Sequence, residues 1–393
     1  MINVIDESRL LQDKLVGMRR DLHRIPEIGF TLPKTREYIV DRLNAMGIEF
    51  TPNEEDSGLI AYINKGKPGK VLVFRADMDA LPITEETGAA YASEHEGMMH
   101  ACGHDAHMAM LLGAAEILKR HENELKGEIR LLFQSAEEIA GGVKTLIKHH
   151  AMAGADAVFG IHIGTLAGKE IPTGTFLISP GPVMASFDRF AITVLGKGCH
   201  GSTPENGIDP INIAAHIILS LEGIVTREIS GCTPAVISVG MIHGGSYENV
   251  IPDIVQIKGT IRSFDEEIRQ KLARRLEEVS RCCAQTFGGD IAFELFRGIQ
   301  PLINDAGMTA FAAGSAAKVV GSDKVLTQMK HPLMGSDNFS CYLEQAPGAY
   351  LFLSSSNPEK GTDVDHHNCR FEIDEDVLWE GTAVFAQIAV DFA

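Results

Sequence analysis

Short apolar runs alternate with longer segments of helical period through the first 160 residues, and no other feature of the chain constrains its fold as strongly. Apolar strands that lack a polar face must be covered on both sides, which is the grammar of an α/β sheet. Val71 to Phe74 reads as a buried strand, Ile129 to Phe133 as a second and Ala157 to Ile161 as a third. Between the first two, Asp105 to Lys119 is rich in Ala, Leu and Met, contains no proline and reads as a helix. At 393 residues the chain exceeds the ~250–300 that one core supports, so two domains are expected.

From Phe190 to Phe296 the order changes. A strand (Phe190 to Leu195), a helix (Pro210 to Arg227), two strands (Val236 to Gly240 and Ile254 to Ile261), a helix and a strand (Ile291 to Phe296) make a split β-α-β unit. Ser263 and Glu266 are expected to form a capping box for the second helix, with Ile268, Leu272, Leu276, Val279 and Cys283 as its apolar face and Gly288-Gly289 as its end. The α/β pattern then resumes with a helix over Ala306 to Val320, a strand at Ala349 to Leu353 and a helix near Asp376 to Phe392. Residues 1–184 and 299–393 are thus expected to form one discontinuous domain, interrupted by an insert over 185–298. Ser179-Pro180-Gly181-Pro182 is the expected hinge at the first crossing.

Lys and Arg total 35 against 53 Asp and Glu, a net charge of −18 with no basic stripe, so nucleic acid is not an expected partner. The same acidity repels anionic substrates at long range, and a carboxylate-bearing ligand would require a local cation. The opening residues lack a signal-peptide core, and no run approaches the ~20 apolar residues of a membrane span. Seven scattered cysteines do not make a disulfide framework. A cytoplasmic location is expected.

Groups able to bind metal fall just beyond the expected strands or in adjoining loops, where open α/β sheets place their ligand crevice. His100-Ala101-Cys102-Gly103-His104-Asp105-Ala106-His107 precedes a helix; Glu137-Glu138 follows Ile129 to Phe133; His162 follows Ala157 to Ile161; His366-His367 lies near the end. Each alone has a plain alternative: a buried His is mostly packing, and adjacent Glu residues are mostly a solvated face. Together they favour a metal, because apolar strands end poorly in adjacent acids without a counter-charge.

The chain resembles the hippurate hydrolase, aminoacylase and auxin-conjugate hydrolase group of binuclear metallo-amidohydrolases over nearly its whole length. The resemblance is carried by Arg19-Arg20-Asp21-Leu22-His23, Arg75-Ala76-Asp77-Met78-Asp79-Ala80-Leu81-Pro82, the Cys-Gly-His block, Phe133-Gln134-Ser135-Ala136-Glu137-Glu138, Gly160-Ile161-His162, Gly196-Lys197-Gly198-Cys199-His200, Asn249-Val250-Ile251-Pro252-Asp253 and Arg370-Phe371. It implies a metallopeptidase-like mixed-sheet catalytic domain with an inserted ferredoxin-like (βαββαβ) domain that serves as lid and dimerisation surface.

It further implies two divalent ions per subunit, with Cys102 shared between a Glu138, His367 set and a His104, His162 set. Zinc, manganese, cobalt and nickel all suit such ligands. His367 is preferred to His366 for its spacing to Arg370-Phe371, and Asp77 and Asp79 are expected to support the ligands from behind. Glu137 is the implied general base, His200 the implied oxyanion donor, and Asn249 and Arg262 the implied substrate contacts, the guanidinium taking a carboxylate. The expected reaction is hydrolysis of an N-acyl amino acid by a homodimer or higher homo-oligomer. A dipeptidase or carboxypeptidase on the same site, a cysteine hydrolase using Cys102, and a binding protein without turnover are the alternatives. Departures from the family pattern occur at Ser135, at Asp337-Asn338, at Ile163-Gly164-Thr165 and at Cys369.

Overall fold

The computed structural model describes residues 2–392. The chain divides into two compact units, one made of the segments up to Val183, Ile303–His331 and Asp337 onward, the other of Met184–Leu302 and Pro332–Ser336.

The first unit is built on an eight-stranded mixed sheet, in the order Glu49–Pro52, Leu59–Ile63, Glu128–Gln134, Val71–Asp77, Ala157–Gly164, Gly348–Ser354, Phe176–Leu177, Val325–Leu326. The four central strands, Glu128–Gln134 through Gly348–Ser354, run parallel. Their residues are almost all buried, as a sheet covered on both faces requires. Helix His104–Arg120 is buried nearly all round, and Gln12–Arg24 and Leu378–Phe392 pack against it. Leu15, Met18 and Leu22 supply the apolar stripe of Gln12–Arg24, a helix the sequence reading passed over.

Two boundaries differ from expectation in ways that bear on chemistry. The strand from Ala157 continues to Gly164, so His162 lies within it. The long helix starts at His104, immediately after Gly103 at φ +87.

The second unit is a four-stranded antiparallel sheet in the order Ala235–Gly244, Ile254–Ser263, Phe187–Leu195, Asp290–Ile299, sharing one core with helices Pro210–Gly223 and Glu266–Thr286. That order is the ferredoxin-like one, with the first strand paired to the third and fourth. Asp188, Phe190, Ile192 and Val194 alternate inward along the first strand. The expected capping box is corrected: Asp265 is the N-cap, its carboxylate accepting from the Ile268 N–H, while the Ser263 hydroxyl bonds the backbone of Asp265. Consequently the most buried face of that helix is Arg269, Leu272, Ala273, Leu276, Ser280 and Ala284, with Ile268, Val279 and Cys283 at its margin. Helix Pro210–Gly223 is α-helical only to Gly223 and widens to a π-turn over Ile224–Glu228. Among the described residues no helix is long and apolar enough to cross a membrane.

Candidate metal centre

In the first unit, the carboxyl ends of the parallel strands bring distant side chains together. Cys102, His104 and His162 present ligand atoms within 4.8 Å of one another, and so do Cys102, Glu138 and His367. Gly103 permits the first grouping. Its left-handed backbone reverses the chain between Cys102 and the first helical residue, turning both side chains to one side, at a φ that a Cβ would strain.

The hydrogen bonds of each imidazole fix which nitrogen is free. His104 Nδ1 lies 2.7 Å from the Asp79 carbonyl oxygen and donates to it, leaving Nε2 without a hydrogen-bond partner although the residue is buried. His162 Nδ1 lies 3.0 Å from the Ile163 carbonyl, and its Nε2 stands 3.6 Å from Cys102 Sγ. Burial, His107 and His366 hold His162 well below the usual histidine range, so it is the neutral base a metal requires. His107 is different: its Nε2 accepts from the Ile163 N–H at 3.0 Å and its Nδ1 donates to Asp77 at 2.6 Å, so both nitrogens are engaged. His366 is half-buried beside His162, its Nε2 accepting from the Thr165 N–H at 3.1 Å. Gly164, at φ +132, makes room for that ring, because a Cβ there would stand 2.1 Å from His366 Nε2. His367 faces Glu138 instead, 3.4 Å away, from a backbone held at φ +62 by an N–H bond to the Ala101 carbonyl.

Glu137 and Glu138 sit on a tight turn that begins with Ala136 at φ +56. Asp79 holds that turn: its two carboxylate oxygens accept from the Glu137 and Glu138 N–H groups at 2.8 and 3.1 Å. It therefore braces two parts of the cluster, orienting His104 through its carbonyl and the acid pair through its carboxylate. Asp77 takes Arg75 at 2.6 Å and His107, and lies 3.5 Å from His104 Nε2.

Beneath the acid pair lies a buried network centred on Arg75, which bonds Gln134, Asp77, Tyr350 and Asn338. The Asn338 amide accepts from Arg75 and Gln134, donates to the Gly141 carbonyl, and its backbone N–H reaches Glu137 Oε1 at 3.3 Å. Sequence reasoning missed this network. Its signal was an arginine immediately after four apolar residues of a buried strand.

The electrostatics of the cluster are those of a site built for cations. Burial, Asp337 and Glu138 hold the Glu137 carboxyl well above the ordinary range. Asp79 is pushed up to about 7, by burial and by Glu138. Burial, Glu138, Glu137 and Asp77 drive the Cys102 thiol upward. Burial opposes ionisation of Glu138, yet His367 and His104 keep its carboxylate below the usual value. His104 Nε2 and Glu138 Oε1, both buried, find no hydrogen-bond partner among the described residues. Buried acids and orphaned lone pairs converging on one space fit divalent ions with open coordination positions.

The remaining expected site residues belong to the second unit. His200 and Asn249 are neighbours there, on a short ribbon that pairs Val250 with His200 and Ile251 with Cys199. His200 Nδ1 accepts from the Ser202 N–H at 3.1 Å, which places the ring proton on Nε2. Arg262 lies in the strand rather than beyond it, donating to the Met334 carbonyl at 2.7 Å and stacking over Phe187 at 4.7 Å. Half-buried, its guanidinium has no carboxylate partner among the described residues, and desolvation lowers its pKa.

The family model described as Peptidase family M20/M25/M40 matches residues 73–391. Thermostable carboxypeptidase 1 of Saccharolobus solfataricus is 38% identical over 395 residues, which cover 99% of this chain and 98% of the relative. N-acetyl-L-cysteine deacetylase of Bacillus subtilis is 40% identical over 370 residues, covering 94% and 85%. A solved Bacillus subtilis protein, described as a dinuclear metal binding peptidase from the M20 family, superposes with a TM-score of 0.84 at 33% identity, covering 97% of this chain and 98% of its own.

Proposed function

The chain belongs to peptidase family M20/M25/M40 and is a metal-dependent hydrolase of amide bonds, and we propose that it acts on N-acyl amino acids, releasing a carboxylic acid and an amino acid. The observation that carries this reading is the double cluster sharing Cys102. Cys102, Glu138 and His367 would hold one divalent ion, and Cys102, His104 and His162 the other, with zinc, manganese, cobalt or nickel all compatible with the donors. Such ions supply Lewis acidity, polarising a carbonyl oxygen and making water acidic near neutral pH.

Glu137 takes the proton of the attacking water and delivers it to the leaving nitrogen, held in place by the Asn338 N–H and by Asp79 behind its backbone. His200, with its proton on Nε2, donates to the carbonyl oxygen as that atom gains charge. Arg262, with no carboxylate partner among the described residues, binds the substrate carboxylate, and Asn249 contacts the substrate beside His200. The cysteine-nucleophile alternative fits poorly: a reactive thiolate needs cationic surroundings, whereas burial, Glu138, Glu137 and Asp77 hold the Cys102 thiol up, and His162, 3.6 Å from its Sγ, is held well below the usual histidine range. A homodimer through the second unit is part of this reading, supported by the edge strand Ala235–Gly244, which exposes Met241 and Ile242.

Carboxypeptidase action on the same site is the second reading, favoured by the carboxypeptidase relative. A hydrolysis screen of N-acetyl, N-benzoyl and longer acyl amino acids beside dipeptides separates the two, on protein whose metals have been counted. The proposal expects acyl amino acids to be turned over best; a free α-amino group on the best substrate selects the peptidase. Glu137→Gln should lower kcat by about 10²–10⁴ with both ions retained, and undiminished turnover would remove Glu137 from its role.

A further inference from the structure

The Arg19 to His23 motif takes no part in the chemistry above, yet the structure buries Arg19 and His23 completely. Arg19 and His23, one turn apart on helix Gln12–Arg24, both reach the carboxylate of Asp105, at 2.8 and 2.7 Å. Asp105 follows His104 in the first turn of its helix, and its other oxygen caps the Ala106 N–H. The far side of the Arg19 guanidinium bonds Glu372 at 2.7 Å and Glu375 at 3.2 Å. These acids lie on the segment that leaves His367, and Tyr91 closes the bridge by donating to Glu372 at 2.9 Å. His23 Nε2 lies 3.3 Å from Glu85, whose neighbour Glu86 donates its N–H to the Cys369 carbonyl.

One planar, permanently charged fork thus spans two stretches of chain more than 250 residues apart. One stretch carries Cys102 and His104; the other carries His367. Arg19 touches none of these side chains, and a surface ion pair could not do its work, because exposed pairs are too weak to hold a geometry. Its side chain is 0% exposed, where loss of a partner leaves a charge unanswered.

We propose that Arg19 is a positioning residue for the metal centre, a brace that sets the separation between the Cys102–His104 turn and His367 and so determines how firmly both ions are held. The inference rests on the two-ion reading. Groups behind metal ligands typically change ion affinity by about 10–100-fold when altered. Lysine at this position keeps the charge and loses the fork.

The test loads wild-type protein and the Arg19→Lys, Glu372→Gln and Arg269→Lys variants with zinc, then follows ion release to a chromogenic chelator. Arg269 makes a comparably buried pair with Asp188 in the second unit and serves as the control for general loosening. The brace predicts release from Arg19→Lys at least about tenfold faster than from wild type, with Arg269→Lys unchanged. Glu372→Gln, nearly isosteric, should speed release of one ion more than the other, because it frees only the His367 side; it carries the same test should Arg19→Lys fail to fold. Equal release from wild type and the brace variants, or equal acceleration in the control, overturns the proposal. Wild-type protein that takes up no zinc overturns the metal reading itself, and the brace with it.

Discussion

Cys102 shows how surroundings decide what a residue can do. A thiol between two histidines is chemically ambiguous, nucleophile or ligand, and sequence cannot separate the two. Its neighbours do: burial, Glu138, Glu137 and Asp77 all disfavour a free thiolate, which a dication between the same groups would stabilise. The orphaned Nε2 of His104 points to the same occupant. Arg262 is the converse case, a cation with no anionic partner among the described residues. Arg262→Ala should raise KM about tenfold or more for substrates bearing a free carboxylate, and leave their amide analogues unchanged, since charged hydrogen bonds contribute about 1.5–3 kcal/mol. Steady-state kinetics on matched acid and amide pairs reads this directly, and equal losses on both would exclude a carboxylate clamp.

At the scale of elements, position is achieved by a few backbone devices. Gly103→Ala should cost about 1–3 kcal/mol in stability from the left-handed φ alone, and more than that in turnover, because the Cys102–His104 turn would open; thermal melts and kcat on the same samples compare the two. The second unit carries its own electrostatic dependence. Asp188 is buried and accepts from Arg269 at 2.8 and 2.6 Å and from the Gly298 N–H. Burial opposes its ionisation, but these donors hold its pKa below the ordinary value. Because the folded value is depressed, the pair stabilises fully above the unfolded pKa of about 3.9 and the benefit is lost as pH falls toward the lower folded value. Asp188→Asn should therefore cost about 3–5 kcal/mol near neutral pH, with melting curves of variant and wild type converging below pH ~4.

The central strands and the long helix were legible in the sequence because they are apolar on nearly every side. Pattern alone could not place the N-cap of helix Glu266–Thr286, since Ser263 and Asp265 both offer capping oxygens and only the backbone at Asp265 leads into the helix. The Cys, His and Glu side chains that gather in the first unit were legible as short motifs near strand ends and in adjoining loops. The Arg75 and Arg19 networks were not, because their partners lie hundreds of residues apart and no local period links them. The closeness of His200 and Asn249 likewise depends on a two-residue ribbon too short to leave a pattern.

For the molecule as a whole, net charge and local charge play opposite parts. A chain at −18 repels anions at long range, and it buries Asp77, Asp79 and Glu137 where two divalent ions would answer their charge. Removal of bound ions should accordingly abolish turnover and lower the melting temperature, in proportion to the ion binding that the folded state alone provides. Anomalous diffraction from metal-loaded crystals, recorded at the edge of the bound element, locates those ions directly. Two peaks are expected in each subunit, one among Cys102, His104 and His162 and the other among Cys102, Glu138 and His367, with the Cys102 sulfur common to both. Fully active crystals with a single peak, or with peaks away from Cys102, would contradict the paired-ion centre.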